Sequence, residues 1–276
     1  MKHLKLYEQF DFDENDPFGE EIEYVKPTFL SWLKKNYPDE NTWDKINYIN
    51  CCNCRLTSLE GIEKLANLKE LYCNDNYLTS LERIKLKNLV NLEALGCSNN
   101  QLTSLKGIEN LVNLEALGCS NNQLTSLKGI ENLVNLEALG CSNNQLTSLE
   151  GIENLVNLEK LYCSWNMLTS LEGIENLVNL KELSCSNNQL TSLEGIENMV
   201  NLKELWCSYN QLTSLEGIGD LVNLKGIFCK NNQLTTLEEI ENLVNLEVLH
   251  CSGNRLSYEN YTELVNYCKK RKIRLV

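Results

Sequence analysis

The chain is poor in the residues that catalysis and membrane insertion need. Only two histidines, His3 and His250, occur in 276 residues, and no H-E-x-x-H, G-x-S-x-G or phosphate-loop motif is present. No apolar run reaches the 18 residues that a membrane-spanning helix needs, and the N-terminus lacks the apolar stretch of a signal peptide. These absences argue against an enzyme and a transmembrane protein, and they favour a soluble, intracellular (cytoplasmic) protein.

Basic residues are also in deficit. The chain has 25 Lys and Arg against 38 Asp and Glu, which gives a formal net charge of -13. Nucleic acids and anionic membranes repel such a protein. We therefore expect neither as a partner, while composition says nothing about the oligomeric state.

What the sequence contains instead is one stretch used again and again. L-E-A-L-G-C-S-N-N-Q-L-T-S-L-K-G-I-E-N-L-V-N runs from Leu92 to Asn113 and recurs unchanged from Leu114 to Asn135. A fixed period of this size predicts a solenoid, in which each copy contacts only its neighbours. The step is 22 residues except from the second copy to the third, where it is 24. Ten copies begin at Ile46, Leu68, Leu92, Leu114, Leu136, Leu158, Leu180, Leu202, Leu224 and Leu246.

Each copy opens like a strand with one buried face. Counting places from the first residue of a copy, the first, fourth and sixth are apolar, as in Leu92, Leu95 and Cys97. Ten of the 13 cysteines occupy the sixth place. Stacked parallel strands lie about 4.8 Å apart with their side chains side by side, whereas a disulfide needs Cβ atoms turned toward each other. We therefore predict a core ladder of reduced thiols.

The ninth place is asparagine in nine of the ten copies. The chain must bend after the strand, and an amide can pair backbone groups of two adjacent turns that would otherwise be buried without partners. We predict a structural asparagine ladder made of Asn76, Asn100, Asn122, Asn144, Asn166, Asn188, Asn210, Asn232 and Asn254.

The pattern L-x-x-L-x-C-x-x-N-x-L resembles the leucine-rich repeat family from residue 46 to about residue 276. Copies of 22 residues containing L-x-G-I-x-x-L are similar to the bacterial internalins and to the nuclear regulatory subunit of a serine/threonine protein phosphatase. The motif C-S-N-N-Q-L-T-S-L-E-G-I-E-N-L-V-N is similar to the repeats of leucine-rich repeat proteins of giant DNA viruses of amoebae. This resemblance suggests that the protein acts inside a host cell. The resemblance implies an α/β solenoid, a horseshoe with a parallel concave sheet and a 3₁₀ or extended convex side.

The ends of the chain depart from the copies. We divide it into an acidic N-terminal arm and cap (1–45), ten copies (46–257) and a C-terminal helix with a closing strand (258–276). A helical pattern from Thr28 to Asn36 suits a cap over the first strand, and another runs from Tyr258 to about Lys270. Residues 1–26 fit either a short hairpin or a mobile acidic arm, and that choice stays open.

Three local features suggest other interpretations. Cys51, Cys52 and Cys54 suggest zinc, but alternate side chains point to opposite faces and no histidine is near, so packing is favoured. The basic run Lys269–Lys272 fits a nuclear-import signal, although helix ends also favour such residues. Asp11 and its neighbours imitate the start of a calcium loop without its glycine or its final glutamate. No metal and no cofactor is expected.

A binding site has to lie where the copies differ. The third, fifth, seventh and eighth places should face the concave solvent, and in the three near-identical copies they hold small residues such as Ala94 and Gly96. Later copies place aromatic side chains there, and exposed Trp and Tyr are typical of interaction sites. The predicted partner-binding residues are Tyr162, Trp165, Trp206, Tyr209, Phe228 and His250.

These observations favour a non-enzymatic scaffold for a protein or peptide partner. Lys160, Lys181, Lys203, Lys225 and Lys230 flank the aromatic residues, so an acidic and aromatic partner segment is expected. Two alternatives stay open: a spacer or virion component without a specific ligand, and, from the resemblance, a regulatory subunit of a protein phosphatase. The aromatic side chains would also suit filling of a curved face, or covering by residues 1–26.

Overall fold

The computed structural model describes residues 27–82 and 86–276. Within these residues one unclosed sheet has 11 parallel strands that follow each other in chain order, as the predicted solenoid requires. Two α-helices flank it, α1 (Phe29–Asn36) and α2 (Tyr258–Arg271). The strands are β1 (Tyr48–Asn50), β2 (Glu70–Tyr72), β3 (Ala94–Gly96), β4 (Ala116–Gly118), β5 (Ala138–Gly140), β6 (Lys160–Tyr162), β7 (Glu182–Ser184), β8 (Glu204–Trp206), β9 (Gly226–Phe228), β10 (Val248–His250) and β11 (Arg274–Leu275).

Each of β1 to β10 covers the third to fifth places of one copy. Neighbouring strands pair place for place, so Ala94 faces Ala116 and Gly96 faces Gly118. Residues in the same place therefore form straight rows across the sheet, about 4.8 Å apart from strand to strand. Fourth-place residues such as Leu117 are buried, while the third and fifth places face away from the core. We call that side the concave face.

The core is a stack of leucines with the cysteine ladder along one side. All 13 cysteines are free, and those of the sixth place are buried. Burial raises the pKa of Cys97 and of Cys163 to about 12, because a thiolate is disfavoured in an apolar interior. These side chains behave as small apolar groups.

The ninth-place asparagines join successive coils. Asn188 donates through Nδ2 to the carbonyl oxygens of Cys163 (3.1 Å) and Cys185 (3.0 Å). Its Oδ1 accepts the backbone N–H of Leu168 at 3.0 Å. One buried amide thus pairs three backbone groups in two adjacent coils, which is the role that the sequence suggests for this ladder.

The structure contains a second asparagine ladder, which the sequence analysis did not predict. The last residue of each of the first nine copies is an asparagine whose Nδ2 donates to the carbonyl oxygen of the residue before its counterpart one coil earlier, as in Asn113 to Val90 (2.8 Å) and Asn245 to Val222 (2.9 Å). The signal was present in the sequence, because an asparagine directly precedes the first apolar residue in every copy from the second onward.

On the convex side, turns close through glycine and glutamate. Gly107 has a φ of +107°, which favours glycine, and its N–H donates to the Glu109 carboxylate at 2.9 Å. The repeated charges suggest a solvated face at Glu109, Glu131 and Glu153, but these glutamates are half-buried and their carboxylates hold the turn. In the copy where Glu239 replaces the glycine, the segment Glu238–Asn242 forms a 3₁₀ helix, and a shorter one, Ile62–Lys64, follows Gly61 in the first copy.

The N-terminal helix α1 begins one residue later than predicted because Thr28 is its N-cap. The Thr28 hydroxyl accepts the N–H of Ser31 at 3.1 Å. Phe29 and Leu33 from α1, together with Trp43 from the 3₁₀ helix Glu40–Lys45, are buried in the same apolar core as the first coils.

At the other end, α2 packs Leu264 and Cys268 onto the last coil, and β11 pairs with β10. Lys272 follows the helix with a φ of 59°, and its N–H donates to the carbonyl oxygens of Cys268 and Lys269. The Arg271 guanidinium donates to the Leu243 carbonyl oxygen at 3.4 Å. Of the four residues in the basic run, Lys272 thus ends the helix and Arg271 ties it to the neighbouring convex turn.

Several predictions fall on residues that the structure does not describe. The hairpin, the calcium-like loop and the covering of the concave face concern residues 1–26. The step of 24 places two extra residues in the second copy, near Lys85 and Leu86 and so partly in 83–85, and β2 and β3 still pair in register beside them. In the described part of the chain, no helix has both the length and the apolarity needed to cross a bilayer.

Candidate functional site

The fifth-place row changes character halfway along the concave face. Strands β3 to β5 place glycines there, so the backbone itself forms a flat floor. From β6 onward the row reads Tyr162, Ser184, Trp206, Phe228 and His250 on adjacent strands. The row thereby brings four of the six predicted partner-binding residues onto one half of the face.

Trp206 and Phe228 form the centre of this half. Their rings stack with centroids 5.7 Å apart and planes inclined by 12°. Gly226 leaves room for the Phe228 ring and the Glu204 carboxylate, because a Cβ there would collide with that carboxylate and lie 3.0 Å from the ring. Burial, followed by the charges of Glu182 and Glu247, raises the pKa of Glu204.

Tyr162 belongs to a separate polar group. Its hydroxyl donates to the Glu182 carboxylate, which also pairs with Lys160 at 3.3 Å. Burial and then this hydrogen bond raise the pKa of Tyr162 to about 12. The tyrosine lies two strands from Trp206, so the aromatic residues form neighbouring clusters and not one continuous stack.

Trp165 and Tyr209 occupy the eighth place, at the margin of the face. They are 62% and 46% exposed, and their φ angles are 57° and 55°. The same backbone conformation is taken by asparagine in most other copies, as at Asn99. Bulky side chains are rare there because the left-handed region costs about 1 kcal/mol or more. Trp165 and Tyr209 therefore occupy positions whose left-handed backbone favours asparagine.

The remaining predicted residue and the lysines complete the picture. His250 Nε2 lies 3.2 Å from the Ser252 hydroxyl. Lys230 lies 5.8 Å over the Tyr209 ring. Lys181 and Lys225 pair with Glu159 and Glu247. The flank that the sequence suggests to be positive is therefore largely neutralised by glutamates within the chain.

A second aromatic pair, missed in the sequence analysis, lies at the other end of the face. Tyr48 and Tyr72 have ring centroids 5.8 Å apart, and the Tyr72 hydroxyl donates to Glu70 at 3.1 Å. The signal was Tyr72 in the fifth place of the second copy, the place that Tyr162 holds in the sixth. Aromatic side chains thus stand at both ends of the flat floor.

The described residues hold no group of three or more His, Cys, Asp or Glu side chains that is arranged to bind a metal ion. Cys51 is buried in the ladder, while Cys52 and Cys54 are half-buried. The Cys54 thiol donates to the Cys52 carbonyl oxygen at 3.3 Å, which is a local turn contact.

Comparison with known proteins gives one family and several similar structures. The family model described as Leucine Rich repeats (2 copies) matches residues 90–133, 134–176, 178–221 and 222–264. No curated protein matches the chain.

Among solved structures, the functional domain of InlJ from Listeria monocytogenes, whose description includes a cysteine ladder, is 31% identical with a TM-score of 0.72. The match covers 79% of this chain and 46% of that one, so the chain spans under half of that domain's length. The internalin InlC2 from the same organism is 28% identical (TM-score 0.57, covering 75% of this chain and 81% of that one). The plant peptide hormone receptor RGFR1 in complex with RGF2 is 26% identical (TM-score 0.59, 71% and 34%).

Proposed function

Because the chain belongs to the leucine-rich repeat family, typically a non-enzymatic interaction fold, we propose that it is a scaffold that binds a protein or peptide partner on its concave face. The contact residues are the aromatic side chains of the later copies, with Trp206 and Phe228 at the centre and Trp165 and Tyr209 at the margin. A similar structure is a peptide hormone receptor in complex with RGF2, which supports a peptide or protein as the ligand class.

The backbone of Trp165 and Tyr209 carries this proposal. A sequence shaped only by stability would keep asparagine at both places, as the three near-identical copies do. Strained backbone is tolerated where function requires it, and Trp and Tyr dominate the binding energy of protein interfaces. Filling of the face does not explain these residues, since both side chains remain exposed.

The test restores the copies' own residue. We expect the double variant Trp165→Asn and Tyr209→Asn to be more stable than the parent by about 1–2 kcal/mol in urea unfolding. In capture from cell lysate followed by mass spectrometry, it should lose a partner that the parent retains. Stability gained together with binding lost is the expected combination.

A matched control is Tyr77→Gln, which also restores a residue of the near-identical copies at an exposed aromatic position but lies outside the patch. It should keep the partner. If the parent captures nothing that the double variant loses, the concave aromatic residues are not the binding site.

The flat middle of the face supports a second role for part of the chain. The third and fifth places of β3 to β5 are only alanine and glycine, and three near-identical copies offer no distinctive contact. We assign them the role of a spacer that sets the distance between Tyr72 and Tyr162.

An intracellular location belongs to the same proposal, and cell fractionation tests it.

A further inference from the structure

One flank of the solenoid exposes an apolar stripe. Eight valines, one in each copy from the second to the ninth at the place before the last asparagine, run from Val90 to Val244 and are 42% to 64% exposed. Successive coils are about 4.8 Å apart, so the stripe is about 34 Å long. A contiguous exposed apolar stripe of this kind marks an interaction surface. It lies outside the aromatic patch of the concave face.

A row of charges follows the same flank. The last-place asparagines from Asn91 to Asn179 and the second-place residues from Lys69 to Glu159 line one groove of about 680 Å³, with Asn113 beside Glu115 as an example. Read along the coils, the second place holds Lys69, four glutamates from Glu93 to Glu159, three lysines from Lys181 to Lys225, and Glu247. We call these nine residues the charge row.

The charge row is incompletely paired inside the chain. Its block boundaries form ion pairs, Lys69 with Glu93 at 2.6 Å and Lys181 with Glu159 at 2.5 Å. Among the described residues, Glu115, Glu137 and Lys203 form no ion pair. Like charges on adjacent parallel strands repel each other. The glutamate block therefore favours a partner that places lysines opposite it, and the lysine block favours a partner that places glutamates opposite it.

The chain itself is such a partner. Read backwards about Glu159, the charge row changes sign at every position except Glu159 itself: Lys69 corresponds to Glu247, Glu93 to Lys225, Glu115 to Lys203 and Glu137 to Lys181. We propose that two copies of this chain dock flank to flank in antiparallel order, with the two-fold axis at the coil of Glu159. The interface is isologous, as expected for a two-fold dimer.

This arrangement also satisfies the valine stripe. A two-fold axis that runs across the flank, perpendicular to the rows, places each row against the same row of the second copy in reverse order. The valine stripe of one copy therefore contacts the valine stripe of the other, beside the paired charges. The charges left without an ion pair in one chain match across the axis, since Glu115 meets Lys203. Glu159 alone meets its own kind, and the Lys181 ammonium beside it reduces that repulsion.

Sedimentation equilibrium of the full chain tests the proposal. We expect a concentration-dependent mass that approaches twice the 31.6 kDa of one chain at low salt. Raising the salt should weaken the dimer at least tenfold, because partly exposed charge pairs are screened. A monomer mass at every concentration and at low salt would overturn the proposal.

Charge exchange tests the antiparallel order. The variant with Glu93→Lys, Glu115→Lys and Glu137→Lys should dimerise about a hundredfold more weakly, because like charges then face each other. The variant with Lys181→Glu, Lys203→Glu and Lys225→Glu should fail in the same way. An equal mixture of the two should form a heterodimer.

Two further variants separate the interface from folding effects. Glu172→Lys, Glu194→Lys and Glu216→Lys make the same change of net charge at exposed positions of the turn side, and should leave the dimer intact. Val134→Ser, Val156→Ser and Val178→Ser should weaken it about tenfold while circular dichroism stays native. If either triple charge variant of the charge row still dimerises, or if the mixture of the two stays monomeric, the antiparallel pairing is contradicted.

Discussion

Single side chains decide how well the coils hold together, and the buried amides matter most. In Asn188→Ala, the buried N–H of Leu168 loses its partner, while the carbonyl oxygens of Cys163 and Cys185 each keep one of two amide donors, from Asn166 and Asn210. An unpaired buried group costs about 1–3 kcal/mol, so we expect a loss of about 1–3 kcal/mol in urea unfolding. Gln189→Ala, at the exposed neighbour, should change stability by less than about 0.5 kcal/mol. Equal losses in both variants would contradict the role assigned to the ladder.

Thiol reactivity should divide the cysteines into two groups. The thiolate is the reactive form, and burial raises the pKa of the ladder cysteines, to about 12 in Cys97. In the native protein at neutral pH, we expect alkylation to label Cys52 first and the ladder only after denaturation. Peptide mass spectrometry reports the labelled positions. Rapid native labelling of Cys97 or Cys163 would show that the ladder is accessible.

The sequence could predict rows of residues but not what each member contacts. The period assigns Tyr162 and Trp206 to the fifth place of their copies. The period cannot predict that the Tyr162 hydroxyl donates to Glu182 while the Trp206 ring stacks on Phe228, because these contacts depend on the third-place residue of the neighbouring strand. Charge repeats were equally ambiguous, since Glu109 looks like any exposed glutamate until its contact with the Gly107 N–H is seen.

At the scale of elements, the ends of the helices were readable because their caps are local. Thr28 and Ser257 both accept an N–H of the first helical turn, and short polar side chains are typical there. The convex turns were harder to predict. A 3₁₀ helix follows Gly61 in the first copy and includes Glu239 in the ninth, whereas the turn at Gly107 forms none, so the residue at this place does not set the turn type by itself.

The end of α2 offers an element-scale prediction. Lys272 is left-handed (φ 59°), where glycine has no steric penalty. We expect Lys272→Gly to stabilise the protein by about 0.5–1 kcal/mol, measured by urea unfolding. Lys270→Gly, placed inside the helix, should destabilise it by about 1 kcal/mol. A loss with Lys272→Gly would mean that the side chain, and not the backbone, is what the position needs.

At the scale of the whole molecule, the copies are interchangeable units. Deleting Leu114–Asn135 joins Asn113 to Leu136, and every contact at the new junction already exists between other copies. We expect a folded protein whose urea m-value is lower by about a tenth, since less surface becomes exposed on unfolding. Deleting only Leu114–Leu124 should prevent folding, because the rows then lose their register.

The same deletion bears on association. It removes Glu115, so the charge row becomes Lys69, three glutamates, three lysines and Glu247, and no residue meets its own kind at the axis. The shortened chain should therefore dimerise at least as tightly as the parent in sedimentation equilibrium. A loss of the dimer together with retained folding would contradict the proposed pairing.

The asparagine ladders also determine how the protein responds to a pulling force. Each coil is tied to the next by the same few amide contacts, and no bond skips a coil within the ladders. Tension applied between the two ends should therefore peel coils one at a time, each releasing 22 residues, or about 70 Å of chain. In a single-molecule stretching experiment, the chain would lengthen as a staircase of nearly equal steps at nearly equal force.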